Sequence, residues 1–186
     1  YLDTDERRRF AQVSHEYLIE QLQFQHESQK ASFTLNFNHP IKEIIWTPKA
    51  VEGQITDKLL LNIATPGDDK TFYAHKNTTW QLKLNGHDRT PARHISYYTR
   101  QQIYDNHSGY GSIHGNDKIA VYSFALKPEE HQPSGTCNFS RIDTAQLVMN
   151  SSDSNIKKTG GPIYIYAINY NILRIMSGMG GLAYSN

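Results

Sequence analysis

The side chains with chemical potential are nine histidines, one cysteine and scattered carboxylates. A zinc-protease helix needs two histidines four residues apart, so that both imidazoles reach one ion. His15-Glu16 and His26-Glu27 each lack that second histidine, and no His-x-His pair of the metal-binding β-barrel enzymes occurs. Glu129, Glu130 and His131 are adjacent, but Pro128 and Pro133 flank them, and a proline-bounded polar segment reads as a stiff exposed connector. Cys137 would need a base or a positive field beside it to act as a nucleophile. A lone cysteine among strands reads instead as a small buried apolar group. Ser112 and Ser177 lack the paired glycines of a nucleophile elbow. Gly109-Tyr110-Gly111 meets its next glycine, Gly115, one residue too late for a dinucleotide fingerprint. The sequence therefore predicts no catalytic, cofactor-binding or metal-ligating residue, and no enzyme.

Binding chemistry is a little better represented. Tyr97, Tyr98, Tyr104 and Tyr110 cluster around one long polar stretch, where aromatic faces could stack on sugars; tyrosines serve protein interfaces equally well. Asn77, Asn106, Asn138 and Asn150 open glycosylation sequons. No secretory signal pattern opens the chain, so these sites are expected to be unmodified. Arg7, Arg8 and Arg9 follow acidic residues and read as a solvated helix face rather than a nucleic-acid patch.

Composition sets the frame for these side chains. Nineteen basic and 18 acidic residues leave a net charge of +1, so no global basic field holds nucleic acid. Only 20% of residues are charged and 38% are hydrophobic, which argues against disorder. One cysteine excludes an internal disulfide, and no apolar run reaches the ~18 residues of a membrane span. A chain of 186 residues suits one domain and buries roughly 70% of its surface without a covalent staple. Its first residue is Tyr1 rather than Met, the mark of a processed product or a portion of something longer.

The elements that would position everything are strands. One helix is expected at the start, capped by Thr4, with Asp5 and Glu6 in its first turn and Phe10 as its anchor. Tyr17 to Phe24 fits a helical stripe or a strand face carrying Leu18, Leu22 and Phe24. Phe33, Leu35 and Phe37 alternate with polar residues, and Asn38-His39-Pro40 breaks that run. Further strands are expected over 41–46, 59–64, 80–84, 119–126, 144–149 and 163–175, the last being the longest. Pro91 to Gly115 reads mainly as a surface loop, and 182–184 as a short terminal strand. Roughly eight short strands predict an all-β fold, an antiparallel β-sandwich of eight-stranded jelly-roll type with a short N-terminal helix, as a single domain over 1–186.

Four segments resemble one family, the major capsid proteins of nucleocytoplasmic large DNA viruses. They are YLDTDERRRFAQVSHEYLIEQLQ at the start, NFNHPIKEIIW over 36–46, FALKPEEHQPSGTCNFSRID over 124–143 and AINYNILRIMSGMGGLAYSN over 167–186. The stretch 51–115 carries no equally clear family string. The resemblance implies the second, C-terminal jelly roll of a double jelly-roll chain whose first jelly roll is absent. It implies a homotrimer of pseudo-hexagonal outline tiling an icosahedral shell, in virions assembled in the host cytoplasm. The partners implied are other copies, the N-terminal jelly roll of the parent chain, and minor capsid or cement proteins, with no specific nucleic acid and no membrane insertion. No cofactor is implied. A carbohydrate-binding jelly-roll module and a minor vertex protein are the alternative readings.

Within the third segment, Pro128 and Pro133 fix φ, Gly135 suits a backbone conformation other residues avoid, and Arg141 with Asp143 could form a local ion pair. Separated from its companion, the piece is expected to expose the apolar surface that meets it.

Overall fold

A computed structural model describes residues 2–28, 31–48, 78–109, 119–151 and 163–185. The expected strand over 59–64, together with Asn77 and Tyr110, lies outside these residues. Helix α1 spans Thr4–Gln12 and is capped by Asp3 rather than Thr4. The Asp3 carboxylate accepts from the Asp5 and Glu6 amides at 2.9 and 2.8 Å, and Glu6 accepts from the Asp3 amide at 3.2 Å. Aspartate wins because its charge adds to the reciprocal bond of the capping box at the positive helix end. The helix buries no residue; half-buried Phe10 stacks on His15 with ring centroids 4.3 Å apart.

The rest is an antiparallel sandwich. Strands β1 (His15–Glu27), β2 (Ser32–Thr34), β3 (Pro40–Pro48) and β4 (Thr78–Leu84) are followed by short β5 (His87–Asp88) and β6 (Arg93–His94). After them come β7 (Ala120–Ser123), β8 (Cys137–Asn138), β9 (Ala145–Ser151), β10 (Ile163–Met176) and β11 (Met179–Leu182). One sheet runs β1-β10-β3-β7, with β11 beside β10 and β8 beside β3; the other runs β2-β9-β4-β5, with β6 beside β4. Sheet neighbours far apart in sequence, closing two layers on one core, are the jelly-roll pattern that the strand spacing predicts.

Two hairpins turn through paired left-handed residues, Asn85-Gly86 (φ 51° and 77°) and Ser177-Gly178 (φ 52° and 76°), the geometry that matches strand twist in a two-residue turn. Between the layers Phe33, Trp46, Trp80, Leu147, Met149 and Ile165 are essentially inaccessible. The Trp46 and Trp80 rings lie 5.7 Å apart, and Trp46 meets Tyr98 at 5.2 Å.

The stretch from Pro91 is more ordered than the loop expected from its polarity. A π-helical turn over Tyr97–Gln101 runs into α2, Gln102–Asn106. Ile95, Tyr98, Thr99 and Gln102 are all buried, a helical i, i+3, i+4, i+7 stripe whose polar members satisfy themselves inside. The Tyr98 hydroxyl donates to the Trp80 carbonyl at 3.0 Å and sits 3.1 Å from the Thr90 hydroxyl. Strand β7 is also shorter than expected, because the Phe124 and Ala125 amides turn back to the Lys42 carbonyl at 2.8 and 3.2 Å.

The ambiguous segment after α1 is a strand. β1 pairs with β10 from His15↔Ile175 to Glu27↔Ile163 without a break. Its inward side chains include Gln21, Gln23 and Gln25, and the last two replace a missing strand. Gln23 donates to the Asn38 carbonyl (2.6 Å) and accepts from the Asn38 amide (3.0 Å). Gln25 does the same with the Thr34 carbonyl (2.6 Å) and the Asn36 amide (3.0 Å). Two side-chain amides thus satisfy the extended segment 34–38, whose Leu35 and Phe37 fill the core.

Candidate functional site

The residues considered for chemistry are not gathered into a site. His15 lies under Phe10, His26 stacks beside Phe24, and His107 donates from Nε2 to Glu43 at 2.9 Å. Glu129 accepts from the Ser108 amide at 3.0 Å, and hydrogen bonds from Ser108 hold its carboxyl below the usual range. Glu130 pairs with Lys127 at 3.0 Å. Among the described residues no group of three His, Cys, Asp or Glu side chains is placed to hold a metal ion. Cys137 is half-buried against the core, and burial pushes its thiol up, away from the reactive thiolate. No helix among the described residues is long and apolar enough to cross a membrane.

The tyrosines do not form a sugar-stacking platform. Tyr98 is wholly buried and its phenol is pushed up to about 12 by desolvation; Tyr97 is half-buried, and Tyr104 stands 73% exposed on α2. Of the sequon asparagines, Asn106 donates to the Gln102 carbonyl, Asn138 caps the turn after it through Ser140, and Asn150 is exposed on β9. Arg7, Arg8 and Arg9 are exposed, as a solvated face requires. Arg141 and Asp143, both described, form no ion pair with one another. Gly135 does adopt a conformation closed to other residues, with φ 149° and a Cβ position 2.6 Å from the Phe124 carbonyl oxygen.

The conspicuous feature is a sheet face. A sheet with one wet side normally turns its apolar side chains inward. β1 does the reverse: Leu18, Leu22 and Phe24 point away from the core and are 54%, 63% and 52% exposed. Their cross-strand partners on β10 are Ile172, Ile168 and Tyr166, all half-buried. The Phe24 ring lies 5.1 Å from Tyr166 and 5.4 Å from Tyr164, so the aromatic end of the patch is already packed.

The inward positions of the same two strands are polar. Asn169 and Asn171 are buried and bond to Gln23 and Gln21 at 3.0 and 2.8 Å. Sequence alternation reveals that Leu18, Leu22 and Phe24 share a face but not which way it points. The usable signal is the pairing of a glutamine-rich strand with Asn169 and Asn171 on the strand opposite.

Charge borders the patch. Strand β3 carries one extra residue against β10, between Ile168↔Glu43 and Asn169↔Ile41. Lys42, at that bulge, is 3% exposed; its ammonium lies 2.6 Å from Glu20, donates to the Pro128 carbonyl at 2.7 Å and sits 5.7 Å from the Tyr170 ring centre. Burial raises the Tyr170 phenol, partly offset by Lys42. An apolar field with a neutralised charged rim and no reactive centre can bind another protein surface and little else.

Comparison with known proteins gives this face its context. Residues 6–181 match the family described as large eukaryotic DNA virus major capsid protein. The chain belongs to that family. All of it aligns with the major capsid protein of Pyramimonas orientalis virus at 47% identity, covering 47% of that protein. It aligns with that of Paramecium bursaria Chlorella virus 1 at 38% identity, covering 52%. The chain spans about half the length of these curated relatives. Among solved structures, a chain in a quasi-atomic model of the PBCV-1 virus capsid superposes with a TM-score of 0.74 at 34% identity, over the whole chain and 55% of its own length. The Faustovirus major capsid protein shares the fold, with a TM-score of 0.58 at 14% identity over 94% of the chain and 36% of its own length. The family is a structural one, and its members are shell proteins rather than enzymes.

Proposed function

We propose that this protein is a shell-forming subunit of a large DNA virus, acting in the virion through contacts with copies of itself. In this reading the chain is the C-terminal jelly roll of a double jelly-roll protein. Three such proteins associate into a trimer with a pseudo-hexagonal outline, and trimers assembled in the host cytoplasm tile an icosahedral shell. The outer face of β1 and β10 is covered in that assembly by the other half of the parent chain or by a neighbouring subunit, and minor capsid or cement proteins bind elsewhere.

The observation that carries this reading is the reversed alternation of β1, with glutamines inward and Leu18, Leu22 and Phe24 outward. Outward apolar side chains on a sheet this well ordered imply a permanent cover, as in obligate interfaces. Near-zero net charge supports it, since many copies approach without strong mutual repulsion. The test is electron microscopy with native mass measurement on the full-length protein. Trimers of pseudo-hexagonal outline are expected; a stable monomer at all concentrations overturns the proposal.

A further inference from the structure

The bulge in β3 places two oppositely charged neighbours, Lys42 and Glu43, at the point where two separate chain segments fold onto the sheet. Lys42 holds the segment 124–135 twice, through its carbonyl to the Phe124 and Ala125 amides and through its ammonium to the Pro128 carbonyl. Glu43 holds the segment 102–109 through His107 at 2.9 Å. The two segments also hold each other, since Glu129 of one accepts from the Ser108 amide of the other. A further link ties 102–109 to the strand that leads into 124–135: Gln102 accepts from the Ser123 amide at 3.1 Å. Inside the 124–135 segment, Ser134 accepts from the Lys127 amide at 2.9 Å, and Gly135 packs under the Phe124 carbonyl.

We infer that residues 102–109 and 124–135 form one cooperative strap, fastened by Lys42 and Glu43, which opens and closes as a unit. The argument is energetic. Lys42 and Glu43 are 3% and 5% exposed, so neither charge tolerates loss of its partner. Lifting 124–135 strips the Lys42 ammonium of the Pro128 carbonyl and removes the Glu129 anchor of Ser108. Lifting 102–109 leaves Glu43 without His107. Opening either segment therefore exposes or strands a group that the other depends on, which is the condition for a shared opening event. Pro128 and Pro133 lower the entropy gained on release and favour the closed form. Leu126, 76% exposed, and Tyr104 ride on this strap and are held in place by it. The inference does not depend on the capsid reading.

Hydrogen exchange of the full-length protein, read at individual amides, tests it. In Lys42→Met, the Ser108, Lys127 and Glu130 amides are expected to exchange together, at least tenfold faster, while core amides in β4 and β9 keep their rates. The complementary His107→Ala variant, whose change lies near the surface, is expected to accelerate Lys127 and Glu130 as well as Ser108. If Lys42→Met does not fold, His107→Ala decides alone. Acceleration confined to the segment that carries or directly touches the mutated residue overturns the inference, as does no change at all.

Discussion

Replacing Leu18, Leu22 and Phe24 together by threonine separates association from folding. Threonine keeps strand propensity, so β1 still pairs with β10. The three side chains are 54%, 63% and 52% exposed, so folding of the chain alone has realised less than half of their burial. Complete burial of a leucine or phenylalanine is worth about 1.5–3 kcal/mol. The triple variant should therefore cost the isolated fold only about 1–2 kcal/mol, because threonine retains part of the apolar contact. The unrealised part, roughly 2–4 kcal/mol over the three positions, is available only to a covering surface. If that surface belongs to another copy, association weakens roughly 30- to 1,000-fold. Sedimentation velocity across a concentration series reads the association, and thermal melting of the dissociated species reads the fold. If the cover is the other half of the same chain, the loss appears as destabilisation of the full-length protein by the same amount. An unchanged association constant together with an unchanged melt refutes the reasoning, because nothing then covers the face.

Other substitutions test the parts. Gly135→Ala places a Cβ 2.6 Å from the Phe124 carbonyl oxygen at φ 149° and should destabilise by about 2–4 kcal/mol in urea unfolding. Gln23→Leu removes the partners of the Asn38 amide and carbonyl and of Asn169; a loss of about 1–3 kcal/mol is expected, with Asn38 partly rescued by water. Burial holds the Tyr98 phenol near 12, whereas in the unfolded chain it ionises near its ordinary value of 10. The unfolded state thus loses its proton first, so this contribution is intact below pH 10 and falls as pH rises towards 12; Tyr98→Phe should flatten that part of the urea-midpoint profile. Glu129 is depressed by its Ser108 hydrogen bonds, so its contribution is present above the ordinary carboxylate range and is lost as pH falls through its lower folded value. Faster exchange of the Ser108 amide on acidification, absent in Glu129→Gln, reads this.

The strands legible in the sequence are those whose alternation coincides with burial. Phe33, Leu35 and Phe37 point into the core as their spacing predicts, and Asn85-Gly86 turns the chain because only small residues accept two successive positive φ values. Reading failed where a local rule met a tertiary partner. Tyr98 sits in a polar stretch, yet its hydroxyl finds Trp80 and Thr90 across the core, so polarity gave no warning of burial. Lys42 and Glu43 look like surface charges in sequence. Only the bulge, a property of pairing with β10, turns them inward under two loops. The interaction face was half legible: composition identifies the stripe on β1, and pairing decides its direction.

That direction follows from the amides rather than from the leucines. If β1 were turned over, Leu18, Leu22 and Phe24 would enter the sandwich and the three glutamines would face out. The segment 34–38 would then lose both side-chain amides that satisfy its backbone, leaving donors and acceptors at Thr34, Asn36 and Asn38 without partners. Asn169 and Asn171, fixed on the inward side of β10 among Ile165, Ala167 and the core, would lose Gln23 and Gln21. Each stranded buried group costs about 1–3 kcal/mol, comparable with what each exposed apolar side chain would gain by entering. Several such groups on one side and three side chains on the other leave the observed orientation favoured even in the isolated chain. The apolar face is therefore pre-formed, with its backbone already ordered, and a partner that covers it meets a rigid surface and pays little conformational entropy.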